Sequence, residues 1–280
     1  MLYLGSTAHP VPGAVDVLTR VLQDHVPHVF VTNSTGTTEE EKASELTSML
    51  PASSGLAIDP RAVIVATTPM RALAPSLKGK RILAVARTAA FPVQLLESYG
   101  FEREMIVPVQ AYAARHPTLF PQKKYLDSSS STSFDPSQDR IDAVFLLQTP
   151  EDWGEALQVC LDVLRSSDGV PGGSDCDLSR TQAVKVYSGN PDFDYRALHS
   201  VPRLTLGAFR KALEAFYVES TGFPLQYELY GKPFAPVVSA FRYMYDIVNT
   251  FLNNSTIWPP KSLNGNPMER LCRPSTRLVH

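Results

Sequence analysis

Short apolar runs alternate with stretches of helical periodicity along most of this 280-residue chain. Residues 62–66, 81–86 and 105–109 are apolar runs of strand length, and one helix-sized segment separates each from the next. Strands that are separated by single helices form βαβ units, in which a parallel sheet is covered on both faces. The pattern therefore predicts an α/β protein.

The remaining segments extend the same pattern. Further strands are predicted at residues 28–31, 141–148 and 183–187, and helices at 13–25, 38–50, 70–77, 91–99, 152–165, 206–217 and 237–251. The helix from residue 38 opens with Thr38 and an acid at Glu41, the spacing of a capping box. The helix from residue 206 is predicted to bury Leu206, Phe209, Leu213 and Phe216.

Charge and cysteine content narrow the class of protein. Lys and Arg number 26 and Asp and Glu 28, which leaves a net charge of −2 and no basic stripe for nucleic acid. No apolar run reaches the roughly 18 residues of a membrane span, and the first residues resemble no targeting segment. The three cysteines are too few and too widely spaced for a disulfide framework, and Cys160 is predicted to be a buried thiol. We expect an intracellular soluble protein with no nucleic-acid partner.

Three groups of residues could carry chemistry. Thr32 and Asn33 follow a predicted strand, and ligands bind parallel sheets at that edge, although the pair could simply cap the next helix. Lys232 lies between Gly and Pro and could be a fixed charge for a phosphate or a solvated surface lysine. Asp192 and Asp194 form a D-x-D pair that could hold a divalent metal in a sugar-nucleotide transferase or belong to a turn.

Several sequence pieces, taken in order, resemble the haloacid dehalogenase superfamily. The similarity is to its class IIA hydrolases, in the cat eye syndrome critical region type of subgroup, and it runs from Leu2 to about Tyr245. The pieces that carry it are Leu2 to Gly5 with Pro12-Gly13-Ala14, Phe30-Val31-Thr32-Asn33 with the following Thr-Glu-Glu-Glu, Thr68 to Leu73, Asp152-Trp153-Gly154 with Gln158, Ser188 to Asp192, and Pro202 to Pro233, which ends in Gly231-Lys232-Pro233.

The resemblance implies an architecture. It implies an α/β fold: a Rossmann-like parallel-sheet core, lacking its first strand here, with an inserted α/β cap domain. The domain boundaries expected on this basis are 1–60 for the N-terminal part of the core, 61–205 for the cap, 206–255 for the C-terminal part of the core and 256–280 for a divergent tail.

The resemblance also implies a function, a magnesium-dependent phosphohydrolase acting on a small phosphorylated metabolite. It makes Thr32 the phosphoryl-binding hydroxyl, Lys232 the lysine that steadies the phosphate, and Asn33, Asn190 and Asp192 substrate-facing residues. Members of the subgroup are mitochondrial, and some are linked to glycerophospholipid metabolism. Charge that builds on the transferring oxygens would be neutralised by the metal and the lysine.

The sequence departs from the family at its acids. The family places an Asp-x-Asp nucleophile motif at the end of the first strand, whereas the only acids before Thr32 are Asp16 and Asp24, on a predicted helix. After Lys232, Asp246 and Glu269 do not form the late acidic motif that completes the magnesium site. We therefore expect a chain that is incomplete or catalytically silent, and of low stability because neighbouring strand edges would be exposed. A non-catalytic protein that binds a phosphate ligand is the alternative.

Overall fold

A computed structural model describes residues 10–120, 134–171, 182–197 and 199–233 of the chain. The chain divides into two compact units. Unit 1 comprises Met1–Leu73, Arg196–Val201 and Tyr230–His280, and unit 2 comprises Ala74–Tyr195 and Pro202–Leu229. The boundaries expected from the resemblance, after residues 60 and 205, stay predictions.

Unit 1 contains a small parallel sheet flanked by helices. Its elements are α1 (Ala14–Gln23), β1 (Phe30–Val31), α2 (Glu39–Thr47) and β2 (Val63–Ile64). β1 pairs with β2 in parallel, so the carboxyl ends of both strands lie at one edge. A compact apolar cluster forms its core: Leu18, Ala43, Leu46, Leu50, Ile58, Val63 and Val65.

Helix α2 begins with the predicted capping box. The Glu41 backbone N–H donates to the Thr38 hydroxyl at 3.2 Å, and the Thr38 N–H donates to the Glu41 carboxylate at 2.9 Å. The helix ends at Thr47 rather than at the predicted residue 50. Pro51 disfavours the helical conformation at Leu50, the residue before it, so the predicted last residue of the helix is not helical.

Unit 2 is built on a five-stranded parallel sheet. Its strand order is β4-β3-β5-β6-β9, and every neighbouring pair is parallel. The predicted α/β fold with a parallel sheet is confirmed. Its elements in chain order are β3 (Ile82–Val85), α3 (Ala90–Ser98), β4 (Ile106–Pro108), α4 (Val109–Arg115), α5 (Pro136–Asp139), β5 (Ala143–Leu146), α6 (Trp153–Arg165), β6 (Lys185–Ser188), β7 (Asp194–Tyr195), β8 (Arg203–Leu204), α7 (Leu206–Thr221) and β9 (Glu228–Leu229).

Apolar side chains cover both faces of this sheet. On one face Val144 and Leu146 of β5 belong to a cluster that includes buried residues of α4, α6 and α7. Between them, Phe145 lies edge-on to Phe101 and Tyr187, at ring distances of 5.6 and 5.0 Å. Successive residues of a strand point to opposite faces, so β5 is buried on both.

Two further predicted elements differ from the structure, and a third cannot be compared with it. The single helix predicted at residues 70–77 is instead two 3-10 segments, Thr68–Leu73 and Pro75–Leu77, because Pro75 lacks an N–H and clashes with a preceding turn. The strand predicted to reach residue 109 ends at Pro108, where the unpredicted α4 begins. The helix predicted at 237–251 lies outside the described residues.

The buried face of α7 was also predicted incorrectly at one position. Phe216 is 53% exposed, whereas Tyr217 is buried. Tyr217 lies eleven residues after Leu206 and so points only about 20° away from it around the helix axis, whereas Phe216 points about 80° away on the other side.

Within the described residues, no helix combines the length and the apolarity needed to cross a membrane.

Candidate phosphoryl-binding site

The candidate site lies where the chain leaves the carboxyl end of β1. The Thr32 N–H donates to the Ile64 carbonyl at 3.0 Å, which continues the pairing of β1 with β2 by one residue. The next residues turn away from the sheet toward the start of α2. Thr32 and Asn33 therefore lie at the carboxyl edge of the parallel sheet, as the sequence predicts.

Ser34 fixes the position of the Thr32 hydroxyl. The Ser34 N–H donates to Thr32 Oγ1 at 3.1 Å, and the two hydroxyl oxygens are 3.0 Å apart. A turn in which a side-chain hydroxyl accepts a hydrogen bond from the backbone N–H two residues later is typical of Ser and Thr. The Thr32 hydroxyl is thus held at the end of the strand in one orientation.

Lys232 reaches the same turn from 199 residues further along the chain. Its backbone N–H donates to Asn33 Oδ1 at 2.6 Å, and its carbonyl accepts from Asn33 Nδ2 at 3.2 Å. The Lys232 ammonium donates to the Val31 carbonyl at 3.1 Å. All of these residues belong to unit 1. The structure therefore brings Thr32, Asn33 and Lys232 together, as a single site at the end of β1.

One cationic group, the Lys232 ammonium, lies at this turn. An ammonium group has three donors, and one of those of Lys232 is directed at Val31. The carboxylate of Glu39, at the start of α2, accepts from the Thr68 hydroxyl at 2.7 Å and lies 3.4 Å from the Arg71 guanidinium. Glu39 is therefore engaged by Arg71 and Thr68.

A magnesium site does not emerge from the described residues. Among them no three His, Cys, Asp or Glu side chains lie close enough together to hold a metal ion. The described acids of unit 1 are found on α1 and α2, at the end of α1, and at Asp59 before a 3-10 turn. These described acids do not form a set of ligands that fits magnesium.

The other two predicted site residues belong to unit 2. Asn190 and Asp192 follow β6, and the Asp192 N–H donates to Asn190 Oδ1 at 2.7 Å. The Asp192 carbonyl accepts from the Gly207 N–H at 2.9 Å, at the start of α7. The polar turn favours structural roles for both residues, and their substrate-facing role stays a prediction. Asp194 lies on β7, where it pairs opposite Leu204.

Sequence reasoning missed two features of the site. It did not single out Ser34, although its place two residues after Thr32 is a detectable turn signal. It also missed the contacts of the buried Glu39 with Thr68 and Arg71, because Glu39 was explained by its favourable place in the first turn of a helix.

Comparison with known proteins shows a family similarity in the first part of the chain. Residues 2–102 match the family model of the haloacid dehalogenase-like hydrolases. A mitochondrial hydrolase of Saccharomyces cerevisiae is 27% identical over 228 residues, which cover 80% of this chain and 62% of the yeast protein. The chain thus spans less than two thirds of that relative's length.

Solved structures of low sequence identity share the fold. A hypothetical protein from Pyrococcus horikoshii has a TM-score of 0.58 at 18% identity, over 87% of this chain and 72% of its own. A 4-nitrophenylphosphatase from Thermotoga maritima has a TM-score of 0.54 at 16% identity, over 88% and 71%. At these identities the similarity establishes the fold alone.

Proposed function

We propose that this chain is a haloacid dehalogenase-like, phosphatase-like hydrolase that binds the phosphoryl group of a small phosphorylated molecule, a proposal supported by the match of residues 2–102 to that family's model. The observation that supports this most directly is the placement of the Lys232 ammonium at the Val31 carbonyl, beside the turn that holds Thr32. A cation and a hydroxyl at the carboxyl end of a parallel strand are suited to an oxyanion.

Each residue has a defined task in this proposal. The Lys232 ammonium neutralises part of the charge on the phosphoryl oxygens, and the Thr32 hydroxyl donates a hydrogen bond to one of them. Charge-assisted hydrogen bonds of this kind are about twice as strong as neutral ones. Both groups are held before the ligand arrives, so binding requires little reorganisation.

We expect these 280 residues to bind phosphate without hydrolysing a phosphate ester at an appreciable rate. The resemblance calls for two aspartates, two residues apart, at the end of a strand, and the described acids of unit 1 occupy other positions. Magnesium is expected from the family resemblance alone. Magnesium-dependent hydrolysis of 4-nitrophenyl phosphate that Lys232→Ala abolishes would overturn this expectation.

The test of phosphate recognition is a titration of the full chain with inorganic phosphate, followed by calorimetry. We expect Lys232→Met to weaken binding by about 10- to 100-fold, as for the loss of a hydrogen bond to a charged group. The matched control is Lys211→Met, which removes an exposed lysine of α7 that pairs with Glu214. Equal affinities of wild type and Lys232→Met would contradict the proposal.

We propose a mitochondrial location, supported by the name of the yeast relative, a mitochondrial hydrolase. Fractionation of cells that express the full-length gene product tests this directly. Enrichment outside the mitochondrial fraction would contradict it.

A further inference from the structure

We propose that Asn33 is a positioning residue, whose side chain holds the Lys232 backbone so that the lysine ammonium stays at the end of β1. This inference rests on the proposed phosphoryl-binding role of Lys232. It gives Asn33 a role different from the substrate contact that the family resemblance implies.

The amide of Asn33 bonds to one residue through both of its polar atoms. Its Oδ1 accepts from the Lys232 N–H at 2.6 Å, and its Nδ2 donates to the Lys232 carbonyl at 3.2 Å. An amide side chain has an oxygen that accepts and a nitrogen that donates two hydrogen bonds. It can therefore pair with the N–H and the carbonyl of one residue, as the backbone of a neighbouring β-strand does. Two bonds define the position and the direction of that backbone, whereas one bond would allow it to rotate.

The lysine side chain makes a third contact with the same turn. Its ammonium donates to the carbonyl of Val31, two residues before Asn33, at 3.1 Å. Lys232 is therefore fixed to the end of β1 at three points, its backbone N–H, its backbone carbonyl and its ammonium. A lysine side chain is long and flexible, and ordering it on binding costs conformational entropy. Holding the Lys232 backbone in place lowers that cost when an anion binds.

The two neighbours of Lys232 shape the backbone on either side of it. Gly231 has a φ of 93°, a conformation that glycine adopts easily and other residues rarely do. Pro233 has no N–H to donate. Between them, Asn33 supplies a partner for both the N–H and the carbonyl of Lys232.

A double-mutant cycle on phosphate binding separates positioning from direct contact. The variants are Asn33→Leu, which keeps the size of the side chain, Lys232→Met, which keeps the backbone that Asn33 holds, and the double variant. If Asn33 acts through the ammonium, the double variant binds phosphate as weakly as Lys232→Met alone, while Asn33→Leu alone loses severalfold. Losses that multiply in the double variant, or an unchanged affinity of Asn33→Leu, would overturn the proposal.

Lysine labelling provides a readout that does not need a ligand. A short pulse of an acylating reagent, followed by peptide mass spectrometry, measures the rate at Lys232 with Lys211 as internal reference. We expect Asn33→Leu to raise the rate at Lys232 at least threefold, because its ammonium is no longer held at Val31. An unchanged rate would overturn the positioning role, and this result stands even if the wild type binds no phosphate and the proposed function fails.

A control variant excludes a general loss of stability. Leu46→Ala removes a buried side chain from the core of unit 1, in which Leu46 is 3% exposed. It should lower the melting temperature at least as much as Asn33→Leu and leave the Lys232 labelling rate within a factor of two of wild type. A threefold rise in this control would assign the Asn33→Leu effect to loosening of the unit and overturn the proposal.

Discussion

The Thr32 hydroxyl is held by a turn of three residues, Thr32 to Ser34. Ser34 donates its N–H to Thr32 Oγ1 at 3.1 Å and places its own hydroxyl 3.0 Å away. A hydroxyl has one proton and two lone pairs, so Thr32 can accept from Ser34 and still donate to an anion. The side chain thus has a structural and a binding task at the same atom.

Removal of that hydroxyl should affect binding more than folding. We expect Thr32→Val to weaken phosphate binding about tenfold, in line with the roughly 1.4 kcal/mol of one hydrogen bond. Thr32→Ser keeps the hydroxyl and should bind phosphate within about threefold of wild type. Titration calorimetry of the three proteins measures the difference, and equal affinities of Thr32→Val and Thr32→Ser would count against the hydroxyl.

Cys160 lies in the core of unit 2, outside the candidate site. It is fully buried on α6, as its sequence context predicted, and burial raises the pKa of its thiol to about 12. A thiol in the unfolded chain ionises near pH 8.5. Between these two pH values only the unfolded state loses its proton, so this group favours unfolding increasingly as the pH rises.

Unfolding measured at two pH values tests this effect. Relative to its value at pH 7, the free energy of unfolding at pH 10 should fall by about 2 kcal/mol more in wild type than in Cys160→Ala. The comparison isolates this thiol because all other groups are common to both proteins. Urea denaturation gives the free energies, and a parallel decline in the two proteins would contradict the account.

At the scale of elements, the start of α7 is constrained by a close backbone approach. A Cβ added at Gly207 would lie 2.3 Å from the carbonyl oxygens of both Pro191 and Asp192. Backbone atoms cannot move aside as the end of a flexible side chain can. Gly207 is therefore required for the loop after β6 to pack on the first turn of α7.

Two glycines at the second position of a helix provide a matched comparison. Gly207→Ala should destabilise unit 2 by about 2 kcal/mol or more, as other overpacked sites do. Gly154→Ala, in the first turn of α6, would meet only the Asp152 carboxylate at 3.4 Å and should be neutral or up to about 1 kcal/mol stabilising. Denaturant unfolding distinguishes them, and equal effects would contradict the packing argument.

Local sequence signals predicted the elements whose causes are local. The capping box of α2 and the apolar runs of β3 and β5 are each visible within a few residues, and all three were predicted. The strands β7 and β8 were not predicted, because their pairing depends on the partner strand and not on their own composition. The equally short β1 and β2 were predicted because each lies in a longer apolar run.

The site shows the same division between local and distant causes. The place of Thr32 after a predicted strand and of Lys232 in a Gly–Pro turn made both of them candidates. The family resemblance then implied a role for each, and those roles remain proposals. The Asn33 hydrogen bonds to Lys232 join positions 199 residues apart, so no local pattern could predict them.

At the scale of the whole molecule, the proposed site falls within one of two compact units. Thr32, Asn33 and Lys232 all belong to unit 1, although its segments are far apart in sequence. A ligand lowers the free energy of the states to which it binds, and this stabilisation grows with the logarithm of its concentration once that exceeds the dissociation constant. Phosphate should therefore protect unit 1 against local opening.

Hydrogen exchange of the full chain maps that protection. With saturating phosphate, amides at Thr32 and Ser34 and in β2 should exchange more slowly, whereas those in β3 and β5 of unit 2 should change little. Lys232→Met should abolish the effect at the same phosphate concentration. Equal slowing in β3 and β5 would contradict a site confined to unit 1.

The central claim, that Lys232 and the turn after β1 bind a phosphoryl group, is tested most directly by nuclear magnetic resonance of the lysine side chains. The side-chain nitrogen of Lys232 is followed while the full chain is titrated with inorganic phosphate. We predict a saturable shift of the Lys232 resonance with the same midpoint as the backbone amide shifts of Thr32 and Ser34. A Lys232 resonance that stays unshifted while other lysines respond would contradict the account.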